Sequence, residues 1–193
     1  MKSICVFAGS NSGARREYLE AAGELGRALA RRKIGVVYGG ARVGLMGALA
    51  NEALAGGTSV IGVMPEALVA KEIAHRELTE LKVVKSMHER KALMADLADG
   101  FVALPGGWGT LEEFFEVLTW GQLGFHRKPM GLLNAQGYFD RLLSFADHCV
   151  AEGFVTREHR SMILVSGSAD GLLDQFASYK APVVKKWIDR VET

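Results

Sequence analysis

Apolar positions along the chain gather in seven short runs: Ser3 to Ala8, Gly35 to Tyr38, Ser59 to Val63, Leu81 to Val84, Phe101 to Leu104, Met130 to Leu133 and Met162 to Val165. Most lack the period-two alternation of a strand with one wet face. A continuously apolar strand is buried on both faces, which points to a parallel sheet covered by helices. Between the runs the period becomes helical: Tyr18, Ala22, Leu25 and Leu29 recur at spacings of four, three and four and share one stripe. This alternation predicts an α/β fold, a doubly wound, Rossmann-like parallel sheet with helices on both faces. Any ligand is then expected at the carboxyl ends of the strands, where the loops gather. No linker, low-complexity segment or repeat interrupts the pattern, so a single domain over residues 1–193 is expected.

With 49% hydrophobic and 23% charged residues the composition is that of an ordinary globular chain. A chain of 193 residues can bury a sufficient core without disulfides or a structural metal. The 23 Lys and Arg nearly cancel the 22 Asp and Glu, and a net charge of +1 gives no general reason to expect nucleic acid or an anionic membrane as partner. The basic runs Arg31-Arg32-Lys33 and Lys185-Lys186 read as solvated faces. Cys5 and Cys149 are too few for a disulfide framework, and each lies in an apolar stretch where a thiol acts as a small hydrophobe. SICVFA is too short for a signal-peptide core and no apolar run approaches a membrane span, so the cytoplasm is the expected location.

Three strand ends carry glycine-rich turns: Gly9 to Gly13, Gly39 to Gly44, and Pro105 to Thr110. None is a G-x-G-x-x-G or a G-x-x-x-x-G-K-[ST] fingerprint, which removes the main support for nicotinamide-dehydrogenase and P-loop readings. Asn11 stands where a nucleophile elbow needs serine. The third turn leads into a helix expected to begin near Thr110, where free backbone N–H groups and the positive end of the helix dipole meet a loop without β-carbons. A phosphate could approach the Gly107 and Gly109 amides there, with the Thr110 hydroxyl as a further donor. The same residues, Thr110 to Glu113, also fit a capping box in which Glu113 merely satisfies a backbone donor. On this helix Leu111, Phe114, Phe115 and Leu118 form the expected inward face, with acidic residues along the exposed side.

A second capping box, Ser86 to Glu89, is followed at once by Arg90 and Lys91, two cations near a helix N-terminus where the dipole disfavours them. Something anionic should compensate them, unless both are simply solvated. His88 reads as a local hydrogen-bonding side chain, because the five histidines show no metal-ligand spacing. No metal is expected.

The segments VFAGSNSG, VYGGARVGLMG, SMHERKALM and PGGWGTLEE, in this order, resemble the cytokinin riboside 5'-monophosphate phosphoribohydrolase (LONELY GUY) family. The resemblance covers nearly the whole chain. It rests on P-G-G-x-G-T-x-x-E, met from Pro105 to Glu113, and M-H-x-R-K, met from Met87 to Lys91; TWGQLGFHRKPMGLLNAQGYFD is similar as well. It implies hydrolysis of the N-glycosidic bond of a purine nucleoside 5'-monophosphate, AMP or an N6-modified adenosine form as in cytokinin biosynthesis, to free base and ribose 5-phosphate. It further implies no metal or organic cofactor, and a homodimer. Residue by residue, it implies Arg90 and Glu113 as the catalytic pair. It implies Glu72, Met87, Lys91, Gly107, Trp108, Gly109, Thr110, Leu111, Glu112 and Thr119 as substrate contacts, beside the same pair. Ala41, Leu93 and Trp108 depart from the family's common glycine, glutamate and tyrosine, and touch substrate fit more than chemistry.

Cleaving such a bond builds positive charge on the ribose, which a carboxylate such as Glu113 can stabilise or capture, while Arg90 orients the substrate. Two rivals remain at this level. A non-catalytic carrier of nucleotides or of a molybdenum cofactor could use the same loops, since fold does not imply turnover. A lysine decarboxylase, a label often given to such sequences, would need pyridoxal phosphate on a Schiff-base lysine, and no lysine has that context.

Overall fold

The structure, a computed structural model, describes residues 1–69 and 74–182. The strands are β1 (Ser3–Phe7), β2 (Gly35–Tyr38), β3 (Val60–Pro65), β4 (Glu80–Val84), β5 (Phe101–Ala103), β6 (Met130–Leu133) and β7 (Ile163–Ser166), each within two residues of an apolar run. The helices are α1 (Arg16–Arg31), α2 (Gly44–Ala55), α3 (Glu66–Val69), α4 (Met87–Leu97), α5 (Trp108–Gln122), α6 (Asp140–Ala151), α7 (Arg157–Arg160) and α8 (Ala169–Ser178). All strand pairs are parallel, in the order β4-β3-β2-β1-β5-β6-β7. The doubly wound expectation is met.

The apolar runs are continuous because both faces of the sheet are covered. Ile4 and Val6 of β1 point into a core closed by α1, α2 and α8. Cys5 and Phe7 point the other way, into a core closed by α4, α5 and α6. The stripe on α1 serves the first core: Ala22, Leu25 and Leu29 are fully buried, and Tyr18 packs at its edge. β4 lies at the edge of the sheet and is the wettest strand, with Glu80 and Val83 exposed.

One charge expectation changes. Arg31 and Arg32 are not merely solvated, since they pair with Asp170, and Arg32 also with Asp174, on α8. They tie α1 to α8 because both helices lie on the same face of the sheet. Lys185 and Lys186 lie outside the described residues.

From β1 the chain winds outward to β4, then returns to lay β5 against the other side of β1. The connections leaving β1 and β5 therefore depart to opposite faces, and a crevice opens between their carboxyl ends.

Candidate active site

Gly9 fastens the three glycine turns together at that crevice. Its N–H donates to the Pro105 carbonyl at 3.1 Å, and its own carbonyl accepts from the Leu45 N–H, also at 3.1 Å. The turns enclose a cleft of about 810 Å³, lined by the Gly9–Ala14 loop, the Pro105–Thr110 turn, and side chains of α1, α2, α4 and α5.

The start of α5 differs from the expectation. Gly107, in extended conformation, is the N-cap and gives no side-chain cap, so no capping box forms from Thr110 to Glu113. Thr110 instead lies inside the first turn, buried against Gly106. The buried face is accordingly Thr110, Phe114, Val117 and Gly121, whereas Phe115 is exposed. Rotating the helix this way turns Glu113 towards the cleft rather than to solvent; its side chain is only 12% exposed. Apart from the adjoining residues and the backbone of α5 itself, no atom lies within 4 Å of where a Cβ on Gly107 or Gly109 would stand, so the backbone is bare where it lines the cleft. First-turn N–H groups of a helix have no intrahelical acceptor, and the dipole adds partial positive charge, so this wall is chemically suited to an anion.

At the head of α4 the expected cap does form. The Glu89 N–H donates to Ser86 Oγ at 3.1 Å, while the Glu89 carboxylate accepts from the Lys85 N–H at 2.8 Å. The two misplaced cations find their compensating anions on α5. Arg90 Nη1 lies 3.5 Å from Glu113 Oε1, and Arg90 Nε donates to the Val63 carbonyl at 3.1 Å, which fixes the guanidinium at the cleft wall. Lys91 pairs with Glu112 and, at 3.1 Å, with Glu116.

Burial chiefly pushes the Glu113 carboxyl above its ordinary value; Arg90 opposes this, Glu112 and Glu116 add to it, and Lys91 subtracts. For Lys91 burial is the largest single influence and works downward, yet the bonds to Glu112 and Glu116 and their charges outweigh it and raise the pKa. The site thus holds one carboxylate short of solvation and one lysine held protonated.

Of the residues implied by the resemblance, Met87, Arg90, Gly107, Trp108, Gly109, Thr110, Glu112 and Glu113 line the cleft together. Lys91 stands behind them on its carboxylate partners. Leu111 packs into the core beneath α5, and the Thr119 hydroxyl donates to the Phe115 carbonyl at 2.7 Å on the exposed side, so neither lines the cleft. Glu72 lies outside the described residues. Among the three departures only Trp108, 88% exposed, lines the cleft, since Leu93 packs in the core and Ala41 is buried where it bridges Ala74. Tyr18, Tyr138, Gly39 and Met46 also line it. Only their place in the fold brings them there, although Gly39, Met46 and Tyr138 fall within segments that carry the resemblance.

Fold and cleft define a doubly wound α/β protein with an anion-accepting helix start and an ion-paired, desolvated carboxylate at the switch point of its sheet. Its relatives are specific. The chain is 54% identical over 173 residues to the cytokinin riboside 5'-monophosphate phosphoribohydrolase of Rhodococcoides fascians, covering 89% of this chain and 87% of that protein. It is 50% identical over 179 residues to an Arabidopsis thaliana protein of the same name, covering 93% and 82%. The chain belongs to the family of cytokinin riboside 5'-monophosphate phosphoribohydrolases. Residues 46–176 also match the family described as "Possible lysine decarboxylase". Among solved structures, the molybdenum cofactor binding protein of Rippkaea orientalis shares the fold at a TM-score of 0.70 and 21% identity, covering 92% of this chain and 97% of that one.

The decarboxylase description implies pyridoxal phosphate, and the residues do not fit it. Among the described residues no lysine lines the cleft, and the nearest in sequence to its catalytic candidates, Lys91, is held protonated by two carboxylates. A Schiff base needs the neutral amine. Also among the described residues, no group of three or more His, Cys, Asp or Glu is placed to hold a metal ion.

Proposed function

We propose that this chain hydrolyses the N-glycosidic bond of purine nucleoside 5'-monophosphates, AMP or N6-modified cytokinin riboside forms, to free base and ribose 5-phosphate. The names of its relatives support the reaction. The observation that carries it to these residues is the pairing of Arg90 with Glu113 beside the bare N-terminal turn of α5. A 5'-phosphate sits on the Gly107 to Thr110 amides. About 6 Å of helix rise separates Gly109 from Glu113, and helical side chains lean back towards the N-terminus, so one ribose can lie between the phosphate and the carboxylate.

In that pose Glu113, poorly solvated and preorganised by Arg90, faces the positive charge that develops on the ribose as the base departs. Arg90 holds the carboxylate in place and orients the substrate. Binding energy from the phosphate, remote from the bond that breaks, positions the reacting carbon. A homodimer in the cytoplasm belongs to the same reading; the free thiols of Cys5 and Cys149 suit a reducing compartment.

The test is a comparison of adenosine, AMP, an N6-prenylated adenosine monophosphate, ADP and ATP, following free base by chromatography. Charge-assisted hydrogen bonds contribute about 1.5 to 3 kcal/mol each, so two or three give the monophosphates a preference on the order of a thousandfold in kcat/KM over adenosine. ADP and ATP should be poor, since the turn encloses one phosphate and the carboxylates of Glu112, Glu113 and Glu116 nearby disfavour added negative charge. Comparable rates for adenosine and AMP would defeat the reading.

A further inference from the structure

The Pro105–Thr110 turn is held from outside by a residue distant in sequence. Tyr138, at the C-terminal side of a short 3-10 turn between β6 and α6, donates its hydroxyl to the Gly106 carbonyl at 2.6 Å. Its ring meets Tyr18 edge-on at 5.5 Å between centroids and Phe139 at 4.9 Å, and both tyrosines line the cleft. The ring is therefore anchored independently of the hydroxyl.

The acceptor belongs to the Gly106-Gly107 peptide, the unit that precedes the first turn of α5. The carbonyl of Gly106 and the N–H of Gly107 share one rigid plane and point in opposite directions, so fixing the carbonyl fixes the N–H. The two sides of this unit differ. Gly106 is crowded, a Cβ there overlapping Thr110, whereas Gly107 has open space beside it. A peptide flanked by two glycines has the widest rotational freedom a chain offers, and an anion-binding amide left free must be ordered when the ligand arrives. An accepted hydrogen bond also polarises the peptide and strengthens the N–H on its other end as a donor.

We infer that Tyr138 is a positioning residue for the phosphate: its hydroxyl holds the Gly106-Gly107 peptide in the orientation in which the helix start receives the 5'-phosphate of the substrate. This rests on the phosphoribohydrolase reading. The edge-on contact with Tyr18 ties the same brace to the β1 side of the cleft.

Tyr138→Phe removes the hydroxyl and keeps the ring and its aromatic contacts. Its KM for AMP should rise about tenfold, the cost of ordering one freed peptide when the ligand arrives, with kcat changed by less than about twofold and only a small fall in the thermal midpoint without ligand. Independently of turnover, the rise in thermal midpoint that ribose 5-phosphate gives the unaltered protein should shrink in the variant. A lower ligand-free midpoint with an unchanged KM would make the hydroxyl merely structural and overturn the inference. A loss confined to kcat would overturn it too, by placing the hydroxyl in the bond-breaking step. If the unaltered protein neither cleaves AMP nor responds to ribose 5-phosphate, the function itself fails; if it does both and the variant matches it, only the role of Tyr138 fails.

Discussion

The guanidinium of Arg90 occupies the space that a side chain on Gly39 would fill. A Cβ built on Gly39 overlaps Arg90 Nη2, with Met46 Sδ close on the other side. The glycine at the end of β2 thus makes room for the residue at the head of α4, and through it for the 3.5 Å contact with Glu113. Three separate segments converge on one ion pair.

Gly39→Ala should push Arg90 off its position while leaving the cations and carboxylates of the site intact. A displacement on the order of 1 Å can cost about a hundredfold in rate, so kcat/KM should fall by roughly that factor. Because both changes act through Arg90, adding Arg90→Ala to Gly39→Ala should cost little more than Arg90→Ala alone. Measuring all three variants closes the cycle; full additivity would separate the glycine from the arginine.

Glu113→Gln should lower kcat by at least about a hundredfold through lost electrostatic stabilisation. Its thermal midpoint should stay level or rise at neutral pH, since Glu113 caps no helix and its charged form is disfavoured by burial. A cap residue would lose about 1 kcal/mol of stability and little activity. Steady-state kinetics beside a thermal melt distinguishes the two.

Arg90→Ala and Lys91→Ala should differ although the residues are neighbours. Arg90 lines the cleft and fixes Glu113, so its loss should fall mainly on kcat. Lys91 stands outside the lining and neutralises Glu112 and Glu116, so its loss frees negative charge near an anionic substrate and should mainly raise KM. Equal, small effects in both variants would return the two cations to the solvated surface.

The acid limb of kcat should lie above 4.5, the ordinary glutamate value, because burial raises the Glu113 pKa and the ionised form is the one that stabilises positive charge. Activity is then lost as pH falls through that raised value. In stability the sign reverses: this group's contribution is fully present below 4.5 and is lost as pH rises through the raised value. Glu112→Gln removes a negative neighbour that helps raise the pKa, so its acid limb should move to lower pH. A rate that climbs as pH falls through this range would mean the protonated form does the work.

The seven strands of the described residues and the wound sheet were legible in the sequence, because inner strands buried on both faces are apolar at nearly every position, and their short length between turns and helical stretches marks them as strands; β4, at the wet edge, showed only as its apolar remainder Leu81 to Val84. The glycine turns were legible too, since chain that bends at a strand end to receive a ligand dispenses with side chains. Around α5 the local reading went astray. Threonine followed three residues later by glutamate resembles a cap, yet here the threonine is core and the glutamate faces the cleft. Helix phase on such a mixed surface is set by what packs beneath it, and Phe115 against Val117 cannot be ranked from a 3.6-residue period alone.

What the sequence by itself determined is the scaffold, the glycine turns that gather at the strand ends, and, through its motifs, the family. Only the tertiary structure decided which polar groups meet: Arg90 with Glu113, Lys91 with Glu112 and Glu116, and the Tyr138 hydroxyl with the Gly106 carbonyl. Periodicity records how a segment sits on its own sheet. It carries no record of how two helices, laid side by side on that sheet, aim their surface side chains at each other, because that contact is fixed by packing distance and angle rather than by either segment's own pattern.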